Sequence, residues 1–350
     1  MAKNRVNVSG GRKAKPKSTA PWIDDLCERQ MAPIRHLKVT SETLDTVKTA
    51  FPLLYHNHFA RFILRSGKLS CPTVTDAFPE YIQNRFAIVR KYIELLAPNL
   101  PNLQFEIYLG DGFSGWRNSA EVPIFMFSSH RLMDRNTLLL PDPFTISDSS
   151  AMRSQVAAGN RSYSWADKIE VAFWRGGTTG EWLTTKDCER NLRFRLLGLS
   201  ETFPEEIDAG FTTVHETCEP ALAQLAQQRN YMKSWTSISD HMHYKYLVLL
   251  DGFTSPWARD FWSLHSNSVV LRQMSDFQSW FYPLMKENVH YLPVAGDLSD
   301  LHTCVLKARQ NDKTAKRISQ NARDFAASVL TDDSILGYTK ELLVRYAELC

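Results

Sequence analysis

Apolar positions recur at helical spacing across residues 22–100, where Tyr81, Phe86, Val89, Ile93 and Leu96 fall near one face before Pro98 and Pro101 stop the pattern. This segment predicts helices that pack through that face. The period then shortens: residues 104–109 and 122–127 read as extended runs. The turn-rich stretch Gly110-Asp111-Gly112-Phe113-Ser114-Gly115 between them leaves Asp111 at a strand end.

After the Pro141-Asp142-Pro143 loop and a Ser-rich stretch, residues 169–174 read as a buried strand running into Arg175-Gly176-Gly177-Thr178-Thr179-Gly180. Further strands are expected over 246–250, 268–272 and 289–293, spaced widely enough for intervening helices, the pattern of a parallel α/β sheet. The chain closes on two apolar helical faces, one through Ala315, Ile318, Ala322, Phe325, Ala326 and Val329, the other through Ile335, Leu336, Leu342, Leu343, Tyr346 and Leu349. The expected organisation is a basic tail (1–21), an N-terminal domain carrying Asp111 (22–163), a C-terminal sheet domain (164–330) and a final helix (331–350) that packs back on the first domain.

Composition narrows the function classes. With 43% hydrophobic and 23% charged residues the chain can build a full core in each domain. A net charge of +3, with acids interspersed among the bases, argues against nucleic-acid binding. The exception is the tail, where Lys3, Arg5, Arg12, Lys13, Lys15 and Lys17 occur without an acid, a composition suited to contact with an anionic membrane surface. No apolar run approaches the roughly 20 residues of a membrane-spanning helix, so a cytoplasmic location is expected, at most peripheral to the inner face of a membrane. Cys27, Cys71, Cys188, Cys218, Cys304 and Cys350 form no CxxC pair and are expected as reduced thiols.

Three constellations suit chemistry. The glycines of the 175–180 segment let backbone N–H groups approach an anion, its threonines add donors, and the Arg175 guanidinium suits a diphosphate. A second segment, Asp251-Gly252-Phe253-Thr254-Ser255-Pro256-Trp257-Ala258-Arg259, repeats that composition after the next strand. The third is Asp111, a carboxylate placed to act as general base. Phe113, Trp116 and Trp257 are candidates for stacking on sugar rings. His241-Met242-His243 lacks further ligands and predicts no metal site, and Ser164 with His215 has no nucleophile-elbow context.

The ordered run from Tyr244-Lys245-Tyr246 through Asp251-Gly252, then Arg259, Ser266-Asn267-Ser268, Trp280-Phe281-Tyr282-Pro283 and Val289-His290-Tyr291-Leu292-Pro293, resembles the CAP10 signature. Upstream, Ala172-Phe173-Trp174-Arg175-Gly176 and residues 103–111 resemble the phosphate loop and the segment holding the catalytic aspartate of the same family. That is the CAP10-like, protein O-glucosyltransferase family, glycosyltransferase family 90, including bacterial lipopolysaccharide-core-type members.

The resemblance implies an α/β, GT-B-like architecture of two Rossmann-like domains facing a cleft. It further implies metal-independent, inverting transfer of a sugar, glucose or xylose, from a UDP-sugar to a glycan, glycolipid or protein hydroxyl. Asp111 would be the base; Arg175, Gly176, Gly177, Thr178, Thr179, Lys245, Phe253, Ser255 and Arg259 would bind the nucleotide-sugar, with no cofactor beyond that donor. The competing expectation is a relative that binds nucleotide-sugar or glycan without turnover.

Overall fold

The computed structural model describes residues 20–73, 75–112, 122–134, 136–180, 191–215 and 218–350. Phe113, Trp116, Cys188 and the basic residues of the tail lie outside these segments. In chain order the helices are α1 (Pro21–Met31), α2 (Ser41–Asp45), α3 (Glu80–Leu96), α4 (Pro143–Ser162), α5 (Leu192–Thr202) and α6 (Pro220–Gln228). They continue with α7 (Ile238–His241), α8 (Ala258–Leu264), α9 (Leu301–Gln310), α10 (Asp312–Val329) and α11 (Asp332–Tyr346). The strands of the first lobe are β1 (Phe59–Arg65), β2 (Lys68–Ser70), β3 (Leu103–Tyr108), β4 (Ile124–Met126), β5 (Ser129–His130) and β6 (Thr137–Leu139). Those that follow are β7 (Ile169–Gly177), β8 (Ile207–Thr213), β9 (Tyr244–Leu249), β10 (Val269–Gln273), β11 (Phe277–Gln278) and β12 (Leu292–Val294).

The α/β class and its two lobes are present, each lobe built on its own sheet. The second sheet, in the order β12-β10-β9-β7-β8, is parallel throughout. The first, β2-β1-β3-β4-β6, is parallel only across β3, β4 and β6; β1 and β2 join it antiparallel. That hairpin corrects the helical expectation for residues 59–70. Ser66 and Gly67 both take positive φ, 50° and 73°, which matches the twist of a two-residue hairpin turn. In β1, Ala60, Phe62 and Leu64 are buried with Phe59, a half-buried strand pattern too short to stand out beside the longer helices.

Helix α3 buries Phe86, Val89, Ile93 and Leu96 as its spacing predicts, while Ile82 takes the buried place expected of Tyr81, which turns outward at 45% exposure. The last helix, α11, packs on α1, and its Tyr338 and Tyr346 hydroxyls donate to the carbonyls of Leu139 and Gln104 in the first lobe. The lobes are tied by the β5–β11 pair, by an Arg131–Asp276 ion pair at 2.5 Å, and by Ser255 N–H donating to Ser128 Oγ at 3.4 Å. Among the described residues no helix is long and apolar enough to cross a membrane, and Cys27, Cys71, Cys218, Cys304 and Cys350 are free thiols.

This topology brings strand C-termini to one place. Asp111 follows β3, Thr179 follows β7, His215 follows β8 and Gly252 follows β9, so the cleft lies where ligands of parallel sheets bind.

Candidate active site

Beyond β3, Asp111 stands at the mouth of an 830 Å³ cavity walled by Tyr55, His58, Tyr81, Arg85 and Tyr108 from the first lobe, with His215 and Phe253 from the second. A second cavity of 330 Å³ shares Arg85, Asp111, His215 and Phe253 and continues along Thr179, Arg193, Gly252 and residues 254–258. Arg85, on the buried face of α3, donates through Nη1 to the Leu109 carbonyl and through Nη2 to Asp111 Oδ1, both at 3.0 Å. Asp111 Oδ2 has no hydrogen bond among the described residues, which leaves one carboxylate oxygen to accept a proton. The approach is close: a Cβ on Gly112 would lie 2.4 Å from Thr254 Cγ2, so any side chain there would have to displace that methyl of the opposite loop. His58 donates or accepts at Tyr81 OH (2.7 Å), and burial pushes its pKa below the usual imidazole range.

On the opposite wall, Asn191 caps α5 by accepting from Arg193 N–H and aims the first turn of that helix at the ends of β7 and β9. The Arg193 guanidinium donates to Gly177 O (2.7 Å) and Asp251 O (3.0 Å). No carboxylate lies within ion-pair distance of it among the described residues; Asp251 acts only at longer range. Burial, then the neighbouring Arg259, pushes Arg193 down to about 9. Arg259 is itself pushed down by burial to about 10, and its Nη2 donates to Arg175 O at 2.6 Å. Both stay charged at neutral pH; Asp260 offsets part of the Arg259 charge, while Arg193 is held by carbonyls, which leaves this wall positively charged. Gly252 makes room for the first: a Cβ there would sit 2.7 Å from Arg193 Nη2 and 2.9 Å from Thr179 Oγ1. Nearby, Ser255 Oγ and Trp257 Nε1 are buried without a hydrogen-bond partner among the described residues.

Of the residues expected at the site, the structure brings Asp111, Thr179, Phe253 and Ser255 to the cleft. It places others elsewhere. Arg175 is engaged by Asp208, with Nη1 2.8 Å from Oδ1 and Nη2 donating to Oδ2 at 3.0 Å, and its guanidinium lies over the Phe173 ring. Gly176 and Gly177 are not a loop but the last residues of β7, paired with β8 across a bulge. Thr178 N–H donates to Thr213 O, so it is not free for a phosphate, and Thr178 Oγ1 accepts from His215 N–H, which holds this buried hydroxyl at the end of β8. Lys245 lies at the start of β9, roughly 13 Å of strand from its cleft end at about 3.3 Å per residue. It is buried between Glu170 (2.6 Å) and Asp312 (3.0 Å). Arg259 sits behind the wall, adjacent to the lining residue Ala258.

Arg85 and Arg193 escaped the sequence reading. A signal existed for each: Arg85 interrupts the apolar stripe of Ile82, Phe86 and Val89, and Arg193 follows an Asn that suits a helix N-cap. Among the described residues no three His, Cys, Asp or Glu side chains gather as metal ligands. His241 instead sits buried, with Nδ1 2.7 Å from Ser237 O.

The cleft of this two-lobed α/β protein thus sets the Asp111 carboxylate of one lobe against the Arg193 guanidinium of the other. The chain belongs to glycosyl transferase family 90, whose model matches residues 25–350. It is 31% identical over 257 residues to protein O-glucosyltransferase 3 of Rattus norvegicus, which covers 71% of this chain and 47% of that protein. Against protein O-glucosyltransferase 2 of Danio rerio the identity is 27%, covering 71% of this chain and 48% of that protein. The chain thus spans about half the length of these relatives. Among solved structures it is similar to Anabaena HepE in complex with UDP and glucose, at 12% identity and a TM-score of 0.43 over 63% of this chain and 62% of that one.

Proposed function

We propose that the chain is a glycosyltransferase that moves a sugar from a UDP-sugar to an acceptor hydroxyl by a single inverting displacement. One observation carries this reading: Asp111 and Arg193, which among the described residues are a carboxylate with an open oxygen and a guanidinium without a counter-charge in ion-pair reach, line the same 330 Å³ cavity. The acceptor enters from the side of the larger, tyrosine-walled cavity, and the diphosphate lies against the wall at Arg193 and Thr179.

Asp111 Oδ2 takes the acceptor hydroxyl proton as that oxygen bonds the anomeric carbon. The bond from that carbon to the phosphate oxygen breaks, and its electron pair leaves with the nucleoside diphosphate. Charge gathers on the departing phosphate, where Arg193 stabilises it and Arg259 adds to the field from behind. Glucose fits the family membership and the names of the relatives.

Calorimetric titration with UDP, UDP-glucose, UDP-xylose and GDP-mannose, followed by UDP-release assays on glycan and peptide acceptors, tests the proposal. Selective binding of UDP ligands, and turnover that falls about 10²–10⁴-fold in Asp111→Asn, are the expected results. Tight binding with no transfer to any acceptor would favour a non-catalytic nucleotide-sugar-binding relative.

A further inference from the structure

We infer that Arg85 is a positioning residue for Asp111 and the joint that holds this carboxylate in register with the opposite loop at Trp257, an inference that rests on the transferase reading. Arg85 is 8% exposed on a helix face otherwise given to Ile82, Phe86 and Val89. A guanidinium in that place is costly unless its donors are used. They are used at the end of β3: one arm of the fork holds the Leu109 carbonyl and the other holds Asp111 Oδ1, each at 3.0 Å. Two acceptors two residues apart are thereby fixed in one plane, which sets both the backbone leading to Asp111 and the carboxylate itself. The oxygen left over, Oδ2, is the one the displacement needs.

The faces of the same guanidinium are also occupied. Its carbon lies 4.7 Å from the Trp257 ring centre and 5.1 Å from that of Tyr81. Trp257 belongs to the second lobe and caps α8 at φ 52°, a conformation a bulky residue keeps only when its surroundings hold it. Phe127 and Phe144 of the first lobe do so at centroid distances of 5.6 and 5.9 Å, with Arg85 on the ring. Arg85 therefore touches the proton acceptor of one lobe and the strained loop of the other, and it lines both cavities. Lysine would keep the charge but supplies neither the planar fork nor the stacking face.

A double-mutant cycle separates this role from a plain structural one. Wild type, Arg85→Lys, Asp111→Asn and the double variant, as full chains, are assayed for kcat, KM of donor and acceptor, and UDP affinity. Arg85→Lys is expected to lower kcat about 10²-fold, the scale of a misplaced catalytic group, with UDP affinity within about twofold of wild type. In the Asp111→Asn background the same change should cost less than about threefold, because its target is already gone. Trp257→Leu probes the other arm if Arg85→Lys does not fold; it should lower kcat roughly fivefold, again only when Asp111 is present. Losses that multiply independently of Asp111, or an unchanged kcat in Arg85→Lys, overturn the inference while leaving the transferase intact. A wild type that binds UDP but transfers nothing overturns both.

Discussion

Replacing Arg193 with methionine should leave the unliganded fold nearly as stable as wild type while removing most of the stabilisation conferred by UDP. The two effects have separate structural origins. Arg193 is a buried cation beside another, Arg259, and its depressed pKa of about 9 records the cost of keeping it charged there. Methionine relieves that cost but forfeits the bonds to Gly177 O and Asp251 O, so the net change in the apo protein is expected within about 1 kcal/mol of zero. Of the five N–H donors of a guanidinium, two are spent on those carbonyls, and five minus two leaves three with no partner among the described residues.

If those donors grip a phosphate, their loss costs about 2 kcal/mol, the middle of the range for charge-assisted hydrogen bonds, or about a 30-fold weaker Kd. At a UDP concentration 100 times the wild-type Kd, ligand stabilisation is about 2.7 kcal/mol; for the variant it falls to about 0.9 kcal/mol. Titration calorimetry gives the first quantity, and denaturant unfolding with and without UDP gives the second. An apo protein destabilised by more than about 3 kcal/mol with UDP affinity unchanged would refute the reasoning and make Arg193 a strut between β7 and β9.

Two further outcomes follow from the placements away from the cleft. Lys245→Met should cost about 1–2 kcal/mol, since Glu170 and Asp312 keep enough exposure to rehydrate, and should leave UDP affinity within about twofold; a tenfold loss would return Lys245 to the binding site. Lys168 donates to Met242 O and Ser268 Oγ, and burial pushes it down to about 7. Between that value and the usual lysine value of about 10.4 the unfolded chain holds one more proton, so stability rises with pH, by up to ~1.4 kcal/mol per unit. Lys168→Met should lack that rise, and parallel unfolding curves at pH 7 and pH 9 for the two proteins would show it absent if Lys168 titrates normally.

Four of the five strands of the second sheet were legible because parallel strands buried on both faces are written as continuous apolar runs, as in β9 with Tyr246, Leu247, Val248 and Leu249 all buried; β8, whose Asp208 and Gly210 break up the apolar run, was not. Asp111 was legible for a related reason: β3 is buried at all six positions, so the polar, glycine-flanked residue that follows it has to be where the chain leaves the core. The β1–β2 hairpin was hidden because its signal spans only a few residues inside a long segment of helical character. Its turn, Ser66-Gly67, is recognisable once the positive φ values are known but carries no strong sequence preference at its first position.

Among the cations, residue type and proximity to glycine could not separate a ligand-binding arginine from a structural one. Arg175 lies near the end of β7 and precedes two glycines, the composition of a phosphate loop, yet the register of β7 against β8 sets Phe173 opposite Asp208 and so places a carboxylate within 2.8 Å of the guanidinium. Arg193 has no glycine beside it and sits in the first turn of a helix, yet the strand ends it reaches offer only carbonyls. The deciding variable is whether the adjacent strand supplies a counter-charge, which depends on register between segments 33 residues apart and not on local pattern. An arginine already paired has little to gain from a diphosphate; one held by carbonyls next to a second cation gains both the bonds and the relief of repulsion. The same logic weighs Arg259 below Arg193: the neighbouring Asp260 carboxylate offsets part of its charge and it lies behind the wall, so in the proposed reaction it would add to the field at the phosphate without replacing a contact from Arg193.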